Sequence, residues 1–287
     1  MAKLIAIDLD GTLLNSKNEI SRENIDAIIR AQQSGIEIVI ATGRAHFDVM
    51  NIFKQTGITT WVIAANGATI HTPKGELYHS QPIDPKTAYE ILNVLENEDY
   101  YYEVFSNDYI YTPLNGREIL HIEMDRLISS NPHTRIELLE HALEKQFSQT
   151  GFHFVESYKE IKQLGIDIFN ILAFSFHEEK LADGWKRFGK MEDITIVSSA
   201  NHNFELEHKD ASKGIALKKL TKKLGIPLED CIAIGDSMND MSMLQIAGTS
   251  VAMGNARQKV KACSDKTTLT NDENGVAAVI IEAIKNI

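Results

Sequence analysis

Two acids, Asp8 and Asp10, stand one residue apart in the stretch KLIAIDLDGTLLN, behind an apolar run and ahead of Gly11 and Thr12. Carboxylates at the end of a buried strand cost free energy unless something compensates them. Asp-Gly marks turns well, so one reading is that either acid merely caps a turn. The sharper reading is that both face one shared site, and the chain holds partners for it. Asp236 and Asp240 lie four apart in GDSMNDMSML, a spacing that one helical turn places on one face. Against this stands Asp236 as an N-cap and Asp240 as a solvated first-turn acid. Four carboxylates in one small volume repel unless a cation balances them. Oxygen donors without His or Cys suit a hard cation, and few carboxylates completed by water suit Mg²⁺ better than Zn²⁺.

Lys213 opens a helix in SKGIALKKL, where a cation opposes the helix dipole. A bound anion would reverse that balance, since helix N-termini and lysine both attract phosphate. The plain alternative is a lysine swung into water. Thr42, in ATGR, offers a hydroxyl and adjacent backbone N–H groups to the same anion. It can equally cap the helix that follows, and both roles can hold together.

The elements that must position these residues alternate. Apolar runs predict strands over 3–7, 37–41 and 61–65, with helices over 22–34 and 45–56 between them. Gly35 and Gly57 sit where helix C-caps belong. Such alternation argues for a parallel sheet covered by helices. ATIHTPKGELYHS then reads as a hairpin. From about Asp84 the pattern changes: a helix, the tyrosine-rich hairpin YYYEVFSNDYIYT, helices near 115–130 and 135–149, the strand DIFNILAFSF, a helix over 178–190, and a hairpin in ITIVSSANHNFELEH. After Asp210 alternation resumes, with a helix over 213–224, a strand over 231–235, a helix over 239–247, strands over 250–253 and 267–269, and a closing helix. The chain therefore reads as an α/β core, 1–83 and 209–287, interrupted by an inserted α+β domain, 84–208. In open α/β sheets, sites form beyond the carboxyl ends of the strands, and the four polar signals all fall in such places or open a helix.

The 287 residues leave room for one large or two ordinary domains. A net charge of −11 disfavours nucleic-acid and anionic-membrane partners. Only Cys231 and Cys263 occur, without metal-ligand spacing, which argues against a disulfide framework. The first acid comes too early for a signal-peptide apolar region, and no apolar run approaches the ~20 residues of a membrane helix. A cytoplasmic location is the expectation. The ten histidines form no H-E-x-x-H pattern, and no G-x-G-x-x-G or phosphate-loop lysine motif is present.

At DLDGTLL, ATGR, SKGIALKKL and GDSMNDMSML the chain resembles the haloacid dehalogenase superfamily of phosphatases, matching its four motifs in order. The insertion after AANGATI resembles the class IIB cap of Cof-type members. The resemblance implies a Rossmann-like core with an inserted cap. It also implies a Mg²⁺-dependent phosphomonoester phosphatase acting on a small phosphate ester, as a monomer or weak homo-oligomer. Asp8 would then be the nucleophile that forms an aspartyl-phosphate, and Asp10 the general acid and later base. That dual role calls for a carboxyl raised in pKa by neighbouring acids and partial burial. Asp8, the Asp10 carbonyl and Asp236 would hold Mg²⁺, with Asp240 a supporting acid. Leu9, Thr42, Gly43 and Lys213 would bind the phosphoryl group, and Asn239 the phosphate or substrate. The cap would select the leaving group, with candidates in the tyrosine-rich hairpin and near SSANHNFELEH. Alternating aromatics in hairpins equally serve just to pack a sheet. Among such members the chain especially resembles Bacillus-type enzymes that dephosphorylate 5-amino-6-(5-phospho-D-ribitylamino)uracil. The rival activities are a phosphomutase or phosphotransferase on a sugar phosphate, and a non-catalytic ligand-binding regulator.

Overall fold

The computed structural model describes residues 2–131 and 135–286. Met1 and Ile287, the outer ends of the expected core segments, and 132–134, within the expected insertion, lie outside the described residues. The chain divides into two compact units, one of Met1–Gln81 with Asp210–Ile287, the other of Pro82–Lys209.

The first unit begins with β1 (Leu4–Ile7), α1 (Arg22–Gln33), β2 (Glu37–Ala41), α2 (His46–Phe53), β3 (Trp61–Ala64), β4 (Thr69–His71) and β5 (Leu77–Ser80). The second comprises α3 (Pro85–Asn97), β6 (Tyr101–Phe105), β7 (Ile110–Pro113), α4 (Gly116–Ser130), α5 (Ile136–Gln146), β8 (Phe152–Val155), α6 (Tyr158–Leu164), β9 (Asn170–Phe174), α7 (Glu178–Phe188), β10 (Ile194–Val197) and β11 (Asn203–His208). The first unit then resumes with α8 (Lys213–Leu224), β12 (Cys231–Gly235), α9 (Met241–Leu244), β13 (Thr249–Ala252), α10 (Gln258–Ala262), β14 (Lys266–Thr267) and α11 (Gly275–Lys285).

In the first unit these strands form one sheet in the order β14-β13-β12-β1-β2-β3-β4-β5. Pairing is parallel from β14 to β3, and antiparallel from β3 to β5. Every residue of β1 is buried, as expected for a central strand covered on both faces. Its apolar side chains join those of β2, β3, β12, α1 and α11 in one core. Ser21 starts α1 by accepting a hydrogen bond from the Asn24 N–H, which satisfies one free donor of the first turn. Among the described residues no helix is long and apolar enough to cross a membrane.

The second unit is a mixed sheet in the order β10-β11-β9-β6-β7-β8. Tyr100, Tyr102 and Val104 pack with Ile171, Ala173, Phe204 and the α3 residues Ile91, Leu92 and Leu95. The tyrosine run thus mostly packs a sheet; Tyr109 is the exposed tyrosine of that hairpin. Two elements of this unit lie outside the sequence expectations, as does α10 in the first. The edge strand β8 is four residues long, and its Phe154 is half exposed, so its pattern resembles neither a core strand nor a loop. The short α6 is bracketed by Ser157, which accepts from the Lys159 N–H, and by the left-handed Gly165; those two residues were the readable signal.

Candidate active site

The site follows from strand register. Ile7 of β1 lies level with Ile234 of β12 and Ile40 of β2. Parallel strands end on the same edge, so Asp8, Thr42 and Asp236 emerge together there. From β1 the sheet runs one way through β2 and the other through β12, which makes this edge the point where strand order reverses.

Three carboxylates meet at that edge. Asp8, Asp236 and Asp240 each place an oxygen within 4.8 Å of the others. Lys213 is fully buried and donates from Nζ to Asp8 Oδ1 at 2.6 Å and to Asp240 Oδ1 at 2.7 Å. Its position in the first turn of α8, unfavourable toward the dipole, is balanced by two carboxylates and not by exposure to water. Burial works against the Lys213 charge, but Asp240 and then Asp8 outweigh it and hold its pKa up. Burial and the Asp240 charge push Asp8 well above the usual carboxylate range, with Lys213 pulling back. Burial, then Asp240, raises Asp236 to about 6.

Asp240 arrives differently from the sequence expectation. Residues 238–240 form a 3₁₀ turn ahead of the short α9, not the first turn of a helix over 239–247. Ser237, not Asp236, is the N-cap, and Asp240 is buried instead of solvated. Asp240 Oδ2 turns back to accept from the N–H groups of Asp236 and Ser237, both at 2.9 Å. A capping box therefore draws the two acids together. Gly11, at φ +80°, completes the approach: a Cβ there would lie 2.8 Å from Asp236 Oδ2. The Thr12 hydroxyl donates to Asp236 Oδ1 at 3.2 Å.

Asp10 stands apart from this trio. The sequence reading sought neighbouring acids around it, and the structure gives it Arg44 of ATGR. Arg44 donates from Nε to Asp10 Oδ2 at 2.8 Å and from Nη2 to Asp10 Oδ1 at 2.7 Å. Its Nη1 donates to Asp48 Oδ2 at 2.7 Å. Thr42 is buried and does not cap α2, which begins at an uncapped Ala45; its Oγ1 accepts from the Arg44 N–H at 3.1 Å. Gly43 lies in the same loop, part-exposed. Leu9 has its side chain in the core, so only its backbone remains for ligand binding.

One contributor went unassigned in the sequence reading. The turn at 65–67 holds Ala65 and Asn66 at positive φ, 45° and 52°, conformations that cost non-glycine residues on the order of 1 kcal/mol or more each. Their N–H groups donate to Arg44 O and Thr42 O, both at 2.9 Å, bracing the ATGR loop. Asn66 Oδ1 accepts from Asn239 Nδ2 at 3.1 Å. Gly67 packs so close that a Cβ would lie 2.2 Å from Ser212 O. One strained turn thus touches three motif loops. The readable signal was Asn-Gly directly behind a strand. Asn239 Oδ1 is buried without a hydrogen-bond partner among the described residues.

A divalent cation fits the trio. Three carboxylates facing one ammonium leave two negative charges in excess when all are ionised, and the donors are all oxygen. Asp240 is held by Lys213 at 2.7 Å and by two backbone N–H groups at 2.9 Å. The Asp236 oxygens take the Thr12 and Ser237 hydroxyls at 3.2 Å, which leaves Asp8 and Asp236 as the more available ligands.

Comparison with known proteins finds relatives over nearly the whole chain. Residues 5–280 match the family model of haloacid dehalogenase-like hydrolases. The chain is 59% identical to the phosphatase YwpJ of Bacillus subtilis strain 168, over 96% of this chain and 97% of that one. It is 39% identical to the 5-amino-6-(5-phospho-D-ribitylamino)uracil phosphatase YwtE of the same organism, over 97% and 96%. A solved haloacid dehalogenase-like hydrolase from B. subtilis superposes with a TM-score of 0.87 at 58% identity, covering 97% of this chain and 99% of that one.

Proposed function

Since the chain belongs to the haloacid dehalogenase-like hydrolases, we propose that it is a Mg²⁺-dependent phosphomonoester phosphatase working through an aspartyl-phosphate on Asp8. The observation that carries this reading is the ion-paired cluster itself, Lys213 bridging Asp8 and Asp240 with Asp236 beside them.

Asp8 attacks phosphorus with a carboxylate oxygen while the bond from phosphorus to the leaving oxygen breaks. Asp10 gives its proton to that leaving oxygen. A water molecule then attacks phosphorus, Asp10 takes a proton from it, and the acyl-phosphate bond opens to free Asp8 and inorganic phosphate. Lys213 fixes one Asp8 oxygen and supplies positive charge to the transferring group. The Thr42 hydroxyl, whose oxygen already accepts from Arg44, keeps its proton for a phosphoryl oxygen. Gly43 adds backbone N–H to the same group, and Leu9 can add its own. The orphaned Asn239 Oδ1 suits a donor on the substrate. Asp8, Asp236 and the Asp10 carbonyl would hold Mg²⁺, with Asp240 in support. When bound, the ion neutralises charge between phosphate and carboxylate.

The substrate is a small phosphorylated metabolite, a sugar phosphate or cofactor precursor. 5-Amino-6-(5-phospho-D-ribitylamino)uracil is the specific candidate, because the 39% identical relative bears that name. The inserted unit is assigned the choice of leaving group.

Phosphate release from a panel of ribityl-pyrimidine, flavin, pyridoxal and hexose esters, with and without Mg²⁺, tests the reading. Asp8→Asn, folded by circular dichroism, should lose at least ~10³-fold of that release. Undiminished release in the variant rejects the nucleophile. An isomerised sugar phosphate in place of free phosphate favours a mutase.

A further inference from the structure

Asp48 lies outside all four motifs, yet it is almost wholly buried on the first turn of α2. Its carboxylate takes Nη1 of Arg44, while Nε and Nη2 of the same guanidinium grip both oxygens of Asp10. A planar fork that binds a carboxylate through two parallel bonds fixes the plane and direction of that carboxylate, which a lysine cannot do. The fork is itself fixed at its other end by Asp48 and at its backbone by Thr42 Oγ1 and the Ala65 N–H. Burial works against the Arg44 charge, but Asp10 and then Asp48 outweigh it and keep it protonated.

We infer that Asp48 and Arg44 are positioning residues for Asp10: Asp48 anchors the guanidinium to α2, and the guanidinium aims the Asp10 carboxyl at the leaving oxygen. The inference rests on the acid–base role proposed for Asp10. Before the first transfer one Asp10 oxygen leaves the fork and takes up a proton from solvent. It then delivers that proton to the leaving oxygen, as the bond from that oxygen to phosphorus breaks and the bond from Asp8 to phosphorus forms. The other oxygen stays on Arg44 as a hinge.

The test compares two esters in the same protein sample. Glycerol 2-phosphate expels a strongly basic alkoxide that needs the proton, whereas 4-nitrophenyl phosphate expels a stable anion that does not. The ratio of their kcat/KM values reports the aim of Asp10 and cancels any loss of folded protein. Asp48→Asn and, separately, Arg44→Lys should shift that ratio against the alkyl ester by about tenfold or more, the scale of a displaced catalytic group. Asp10→Asn should shift it in the same direction. Adding Asp48→Asn to Asp10→Asn should shift it no further, because the effect runs through Asp10. An unchanged ratio in both single variants, whether the two rates fall together or not at all, overturns the positioning role. So does a further shift in the double variant. Wild-type protein that releases phosphate from neither ester overturns the phosphatase reading instead, and this inference with it.

Discussion

Both units bury carboxylates, and Glu103 of the second is held unlike the acids of the first. In the first, Asp8, Asp236 and Asp240 gather around the Lys213 ammonium, and Asp10 and Asp48 share the Arg44 guanidinium. In the second, Glu103 on β6 is fully buried among neutral donors: the Tyr101 hydroxyl at 2.6 Å, Gln146 Nε2 at 2.8 Å and Gln149 Nε2 at 3.2 Å. Burial pushes Glu103 up to about 7, the charge of Glu205 adds to this, and the three donors only partly offset it. Neutral hydrogen bonds thus leave Glu103 poised near neutrality, whereas in the first unit the Lys213 ammonium pulls Asp8 back against the rise that burial and the neighbouring acids impose. Buried carboxyl groups thus share a cation in one unit, while in the other Glu103 is held by neutral donors.

Removing the cation tests the first half of that contrast and should have the largest effect. Lys213→Met leaves Asp8 and Asp240 buried without their ammonium and should cost about 3–5 kcal/mol of stability at neutral pH in metal-free protein, read by urea denaturation. A cost below about 1 kcal/mol would mean that the acids simply take up protons, erasing the contrast with Glu103.

The second half is tested by pH. The folded pKa of Glu103, about 7, lies above the ordinary 4.5, so the unfolded chain releases this proton first as pH rises. The contribution of Glu103 is therefore whole below pH 4.5 and is lost as pH climbs through 7, by roughly 3 kcal/mol in total. Hydrogen exchange of the β6 amides should show wild type losing about that much protection free energy across the window relative to Glu103→Gln. Parallel profiles would show that the donors hold Glu103 ionised throughout.

The smallest effect separates geometry from charge in the first unit. Asn66→Ala keeps a Cβ at positive φ and deletes the bond to Asn239, whereas Asn66→Gly deletes the bond but relaxes the backbone. Thermal melts should place the glycine variant above the alanine variant by about 1 kcal/mol. Equal melting would mean the turn is not strained.

Much of this was readable along the chain. Periodicity and Gly stops outlined β2 and α8 with bounds close to those observed, because a helix or strand answers mainly to its own side chains and caps. The acids and Lys213 were readable because a charge next to an apolar run is costly and asks for a partner. The strand β8 escaped because an exposed four-residue edge carries almost no period. Asp48 escaped because a lone acid in the first turn of a helix looks like ordinary dipole complementation.

Local sequence, then, determined which elements form and which residue types stand at their ends. Only the tertiary structure decided who meets whom: Lys213 with Asp8 across 205 positions, Asp10 with Arg44 across 34, and Asp240 folded back by a capping box. The reason is physical. Strand order and register bring distant termini to one edge, and no single segment encodes the position of a partner that another segment supplies.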